Sequence, residues 1–266
     1  MKRIDKLEKN YKSNVNEIDQ INSIGTDIGE ILVEMLNNLK TDYNSMPSFI
    51  PFKEKLDVVI EQIKNLKSNP YLLDKYHVIH NQSIVLLVSN FEIFINSLVI
   101  MIGNNFPELF NWKEKEKIAF DPNILKHTKP SYGDLILEHL KNKYNYQDLK
   151  SILECMDMCL NIKKLLTKKE EKGIKENIIL YQAARHIIVH NMSKVDNDFI
   201  KQIRNTDFYE RYNTMVGDKL LLRFSEYEKA KESFLYFVNN IISGLKDKIR
   251  EIYGDEFADM EQLKEK

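Results

Sequence analysis

The sequence predicts an all-α protein. Turn formers are scarce, with 8 glycines and 6 prolines in 266 residues. Apolar residues recur mostly three and four apart, the spacing of one helix face, and strand-like alternation is nearly absent.

The elements follow in order from local signals. Residues 15 to 43 read as a first long helix, weakened near Gly25 and Gly29, and MPSFIP with Pro47 and Pro51 breaks it. A second helix covers roughly 53 to 67, and Asn69-Pro70 opens a long one reaching about 104. Phe106 to Pro130, with three prolines and the lone Trp112, reads as a loop carrying one short helix. Ser131-Tyr-Gly-Asp134 starts a further helix, and 146 to 169 is an amphipathic one. KKEEKG (168 to 173) is a charged turn before a helix that ends near Asn191. A short helix near 195 to 205 precedes TMVGDKLLLRF, where one brief extended segment fits. Ser225 with Glu228 makes a capping-box pattern that launches the last helix to about 253. No internal repeat or low-complexity linker divides the chain. The organisation expected is an N-terminal helical extension (1 to 65), one helical domain (66 to 254) and an acidic tail (255 to 266).

Composition narrows the function classes. Lysine plus arginine (39) nearly cancels aspartate plus glutamate (40). A net charge of −1 supplies no global pull toward nucleic acid or anionic membrane, so polyanion binding needs a local patch or a surface built by two subunits. Cys155 and Cys159 lie four apart, which suits neither a disulfide framework nor a zinc hook; they read as buried thiols in a reducing compartment. MKRIDKLEKNYK has no apolar core of a secretory signal. Ile84 to Ile102 is about long enough to span a bilayer, but Ser89, Asn90, Glu92, Asn96 and Ser97 make insertion costly. A buried core helix is expected instead, with no membrane partner and a cytoplasmic location.

One stretch stands apart from this pattern. YQAARHIIVHNM (181 to 192) places Arg185, one of only six arginines, with His186 and His190 in an apolar helical run. On a helical wheel Ile178, Ile179, Leu180, Ala183, Ala184, Ile187, Ile188 and Val189 leave no polar side, which predicts a helix surrounded by protein. A guanidinium there needs a partner, an internal cleft or a subunit interface. Arginine beside imidazoles suits phosphodiester chemistry. Histidine moves protons near neutrality, and the guanidinium fork holds a phosphate and the charge that builds on it. The nucleophile would be a 2′-hydroxyl, so the substrate would be RNA.

RHIIVHN (Arg185 to Asn191) resembles the hallmark of the HEPN superfamily, R-x4-6-H with a polar residue just after the arginine, here His186. SIVLLVSNFEIFINSLV (83 to 99) is similar to the helix with one acidic residue in an apolar run of bacterial RiboL-PSP-type members. VHNMSKVDNDFI (189 to 200) resembles the usual exit from the motif helix, and MVGDKLLLRFSEYEKAKESFLYFVNNI (215 to 241) the lead into the final helix. The likeness covers about residues 70 to 250.

This resemblance implies an antiparallel helical bundle and a metal-independent endoribonuclease, needing no cofactor, that cleaves single-stranded RNA in a homodimer cleft. Arg185 would bind the scissile phosphate, His190 would transfer protons and His186 would orient or assist, with Asn191 and Glu92 in support. Members commonly act as toxins or antiphage effectors, so an antitoxin or defence-system partner is implied. The alternative is a non-catalytic HEPN-like module for RNA binding or assembly. Met192 stands where the R-x4-H-x-Y form carries a tyrosine that a partner nucleotidylates, which argues against that mode of control.

Competing readings attach to the same residues. His186 and His190 match a metal-binding i, i+4 pair but lack a third ligand nearby, and His77 and His80 would join them only by a coincidence of folding. Glu92 fits a counter-ion for Arg185, or else part of a solvent-facing stripe with Ser89 and Asn96. Lys163, Lys164, Lys168 and Lys169 fit an RNA contact or a solvated helix end.

Overall fold

The computed structural model describes residues 1–42, 50–66, 70–110, 129–144, 148–160 and 171–254. Among them the chain is all-α. The helices are α1 (Lys2–Asp42), α2 (Ile50–Leu66), α3 (Pro70–Asn105), α4 (Tyr132–Lys143), α5 (Leu149–Leu160), α6 (Lys172–His190), α7 (Asn197–Ile203), α8 (Asp207–Tyr212) and α9 (Phe224–Tyr253). A 3₁₀ turn, Pro107–Leu109, follows α3. The one sheet-like contact among the described residues is an isolated antiparallel bridge between Lys194 and Lys219.

α3 is the axis. Ile84, Leu87, Val88, Phe91, Ile95, Leu98, Val99 and Ile102 are wholly buried, and α1, α4, α6 and α9 all pack on this helix. Its most apolar stretch meets the length and hydropathy of a membrane span, yet half of that stretch is buried inside the chain. Burying such a run of large apolar side chains is the main stabilising term, at about 1.5–3 kcal/mol for each fully buried residue.

α1 begins 13 residues earlier than its expected start at 15. Ile4, Tyr11, Val15 and Ile18 recur at intervals of seven, four and three and enter the same core as α3 and α9. Asn14 Nδ2 donates to Asn90 Oδ1 at 2.9 Å, and Arg3 bonds Asn105, so α1 and α3 run in opposite directions. The high charge of residues 2 to 12 hid a heptad seam.

α4 begins as expected. Ser131 Oγ accepts from Asp134 N, Ser131 N donates to Asp134 Oδ2, and the reciprocal pair closes a capping box. Gly103 and Gly133 let α3 and α4 cross backbone to backbone; a Cβ on Gly133 would stand 2.2 Å from the Ile100 carbonyl oxygen.

α9 departs from expectation. It starts at Phe224 with Arg223 as a cap that makes no side-chain bond, so Ser225 and Glu228 form no capping box. The start is set by Leu222, wholly buried, whose N–H donates to Asn81 Oδ1 and whose carbonyl accepts from His77 Nδ1. Glu228 pairs with Lys231 instead. Cys155 is buried, as expected. The side chain of Cys159, the loop around Trp112 and the tail from 255 lie outside the described residues.

Candidate functional site

α6 delivers the motif. Ile178, Leu180, Tyr181, Ala183, Ala184, Ile187 and Ile188 are buried, and two adjacent alanines leave room for α3 and α9 to close in. The helix is not enclosed on every side, however. His186, Val189 and His190 are exposed, and Arg185 is half-buried. The wheel accounts for this: these three residues fall within a sector of about 100°, and no helix covers that sector. Ile179 and Val189 lie in the same sector, which made its composition look like core.

Within the sector the two imidazoles stand together. The His186 and His190 ring centroids are 4.9 Å apart with planes tilted by 49°. Arg185 sits at the edge of the sector, and its Nε is buried without a hydrogen-bond partner. Gln182 Nε2 on α6 and Asn96 Oδ1 on α3 are likewise buried and unpartnered. Each such group costs about 1–3 kcal/mol unless something satisfies it, so three of them on two packed helices point to an absent water, ligand or chain.

Glu92 lies between its two expected roles. It is half-buried on α3 and feels the Arg185 charge, but makes no ion pair within 4.0 Å among the described residues. Burial pushes its carboxyl up, and the guanidinium only partly offsets that. Ser89, Glu92 and Asn96 are all half-buried rather than solvent-facing.

The exit from α6 is tightly built. Met192 and Ser193 both adopt left-handed backbone, with φ of 50° and 62°. Non-glycine residues persist there only when neighbours over-determine them. Asn191 N and Ser193 N both donate to the Ile187 carbonyl at 3.0 Å, and Asn191 Nδ2 donates to the Lys194 carbonyl at 2.7 Å. Asn191 thus clamps the turn. Asn81 holds it from α3, donating to Ser193 Oγ at 3.4 Å and to the Leu220 carbonyl at 3.1 Å. The consequence is a fixed position for His190 and an outward Met192, 79% exposed.

Two residues of this neighbourhood escaped sequence reasoning. Asn81 looked like a surface residue of HVIHNQ, and nothing in its local pattern reveals contacts 112 and 139 positions away. Asp198 returns close to His186 once the turn folds. Its carboxyl is held low chiefly by the hydrogen bond from Lys201, with a smaller contribution from His186.

His77 and His80 do not join the motif histidines. His77 is spent on Leu222, and His80 Nδ1 donates to Asn22 Oδ1 at 2.8 Å. No group of three His, Cys, Asp or Glu with metal-binding geometry occurs among the described residues. An open groove lined by Asp5, Glu8, Lys12 and Asn16 runs along α1 and contains no motif residue. Lys163, Lys164, Lys168 and Lys169 lie outside the described residues.

No known protein family, curated protein or solved structure matches the chain. Chemistry at the site therefore has to be argued from its own residues.

Proposed function

We propose that this chain is a HEPN-type, metal-independent endoribonuclease that cuts single-stranded RNA in a homodimer cleft, as a cytoplasmic toxin or antiphage effector. The observation that carries the reading is the orphaned, buried Nε of Arg185 one residue before an exposed imidazole pair. An anion entering beside the histidines would give that guanidinium the partner it lacks.

The reaction balances with these groups alone. One imidazole takes the proton of a 2′-hydroxyl, whose oxygen attacks phosphorus. The bond from phosphorus to the 5′-oxygen breaks, and a protonated imidazole supplies that oxygen with a proton. The products are a 2′,3′-cyclic phosphate and a 5′-hydroxyl, and no metal or cofactor enters the balance. Arg185 holds the phosphate and the charge that builds on it, at a penalty its half-burial reduces. His190 carries the proton transfer, His186 orients or assists, and a second copy brings the other His190 to the cleft. Exposed Val189 and Met192 beside the histidines suit a face that another chain covers.

Incubation with single-stranded RNA in EDTA tests the proposal. Wild type should leave 2′,3′-cyclic phosphate ends, and Arg185→Ala and His190→Ala should not. Light scattering should give about twice the 31.5 kDa chain mass. Binding without cleavage would establish the non-catalytic module instead, and a strict monomer would remove the composite cleft.

A further inference from the structure

We infer that Lys194 and Lys219 form a two-cation platform that grips an RNA backbone phosphate next to the linkage being cut. The inference rests on the endoribonuclease reading and adds a second phosphate site to it.

The two lysines face each other across the antiparallel bridge, the one place where the exit of α6 meets the segment before α9. Residues directly opposite in such a pair share a face, with Cβ atoms about 4.5–5.5 Å apart. The flanking pleat sets which face. Val195 and Leu220 are buried, and Ser193 Oγ is turned toward Asn81, so Lys194 and Lys219 project outward, and both are exposed.

Like charges opposite one another destabilise a pair, and proteins usually answer with a carboxylate. Neither lysine makes an ion pair among the described residues, although three aspartates are close in sequence. Each is already committed. Asp196 Oδ1 accepts from Phe199 N at the start of α7, Asp218 Oδ2 accepts from Met215 N, and Asp198 pairs with Lys201 at 2.8 Å. The platform is also rigid. Val195 N donates to the Asp218 carbonyl at 2.9 Å, Gly217 N to the Val195 carbonyl at 2.8 Å, and Leu220 N to the Ser193 carbonyl at 2.7 Å. Asn191 Nδ2 ties the Lys194 carbonyl to the end of α6 that carries His190.

Two uncompensated ammonium groups on a rigid ledge, one turn beyond the histidines, fit a phosphodiester. The net charge of −1 leaves the molecule without a general attraction for RNA, so a local site of this kind has to provide it.

The test measures binding of a fluorescent twelve-nucleotide single-stranded RNA from 50 to 300 mM salt, in a His190→Ala background that prevents turnover. Adding Lys194→Gln with Lys219→Gln should weaken binding about ten-fold or more at 0.1 M salt. It should also lower the slope of log affinity against log salt by about 1.4, or 0.7 for each lost phosphate contact. Lys175→Gln, at the far end of α6 and exposed, should change neither. The double variant should melt no lower than its parent, since it relieves a repulsion; a fall in both affinity and melting midpoint would mark the lysines as structural and overturn the site. An unchanged slope, or no binding of RNA by the parent, would overturn it too. Cleavage by wild type with an unchanged slope sinks the platform alone. A lysine-dependent slope without cleavage sinks the endoribonuclease reading and leaves the platform standing.

Discussion

The imidazoles of His186 and His190 stand one helical turn apart on α6, 4.9 Å between ring centres, and both face solvent. That exposure separates chemistry from folding. Side chains on an open helix face contribute within about 0.5 kcal/mol to stability, so their removal reports on the reaction alone. His190→Ala should lower the RNA cleavage rate by 10²–10⁴-fold, the usual worth of a positioned acid or base. His186→Ala should cost less. Thermal unfolding of both variants should superimpose on wild type, and a large melting shift with retained cleavage would reverse the assignment.

Arg185 and Glu92 pose the opposite case, because both are partly withdrawn from water without touching. Ionised Glu92 is held against its preference. Its folded carboxyl titrates above its ordinary value, so the fold is favoured when the group is protonated, and this contribution is lost as pH rises through the shifted value. Glu92→Gln should therefore match or exceed wild-type stability at pH 7, by under about 1 kcal/mol given its partial exposure. The difference should shrink as pH falls toward about 4. Urea unfolding at both pH values measures it, and a variant clearly weaker at pH 7 would show that the Arg185 charge, not burial, dominates.

Much of this was readable from sequence, and the misses share a cause. α3 announced itself by a long apolar run opened by Asn69-Pro70, and α4 by the Ser131–Asp134 box, since both signals are local. The motif helix was placed to within one residue of its observed end at His190. What stayed hidden depends on partners distant in the chain. Leu222 moved the start of α9 through bonds to Asn81 and His77, overriding a local capping pattern at Ser225. Ile4 and Tyr11 made the N-terminal residues part of the core, because α3 offered a groove for a seam that charge obscured. The exposed sector of α6 was mistaken for core because composition cannot say which helices pack where.

Acid should loosen the junction of α1, α3 and the lead into α9. Burial, with the nearby charge of His77, drives the His80 imidazole down from 6.5 to about 4, while its ring also abuts Phe224 and bonds Asn22. The unfolded chain binds this proton more readily than the folded one, so stability is complete above about pH 6.5 and declines from there to pH 4. A fully buried group shifted this far would contribute over ~3 kcal/mol, and partial exposure reduces that to about 1–2 kcal/mol. His80→Gln should flatten the fall in urea midpoint between pH 7 and 4.5. An equally steep fall in the variant would place the acid sensitivity elsewhere.

The crossing of α3 and α4 offers the sharpest stability test. A methyl group on Gly133 would press on the Ile100 carbonyl oxygen at 2.2 Å and the Ile100 Cα at 2.9 Å, all of it backbone that cannot swing aside. The same methyl on Gly103 would meet the Gly133 Cα at 2.7 Å. Either substitution pushes the helices apart and strains the bond from Gly133 N to Asn104 Oδ1, now 2.7 Å. Overpacking of this kind costs about 1–3 kcal/mol, and Gly133→Ala should sit at the upper end because backbone opposes backbone. Helix propensity works the other way: alanine in place of a helical glycine gains up to about 1 kcal/mol. A net loss on unfolding in urea therefore measures the steric term after that gain is overcome. A Gly133→Ala variant as stable as wild type would mean that α3 and α4 do not approach as closely as described, and the core contacts of Ile136 and Leu140 would need to be redrawn with them.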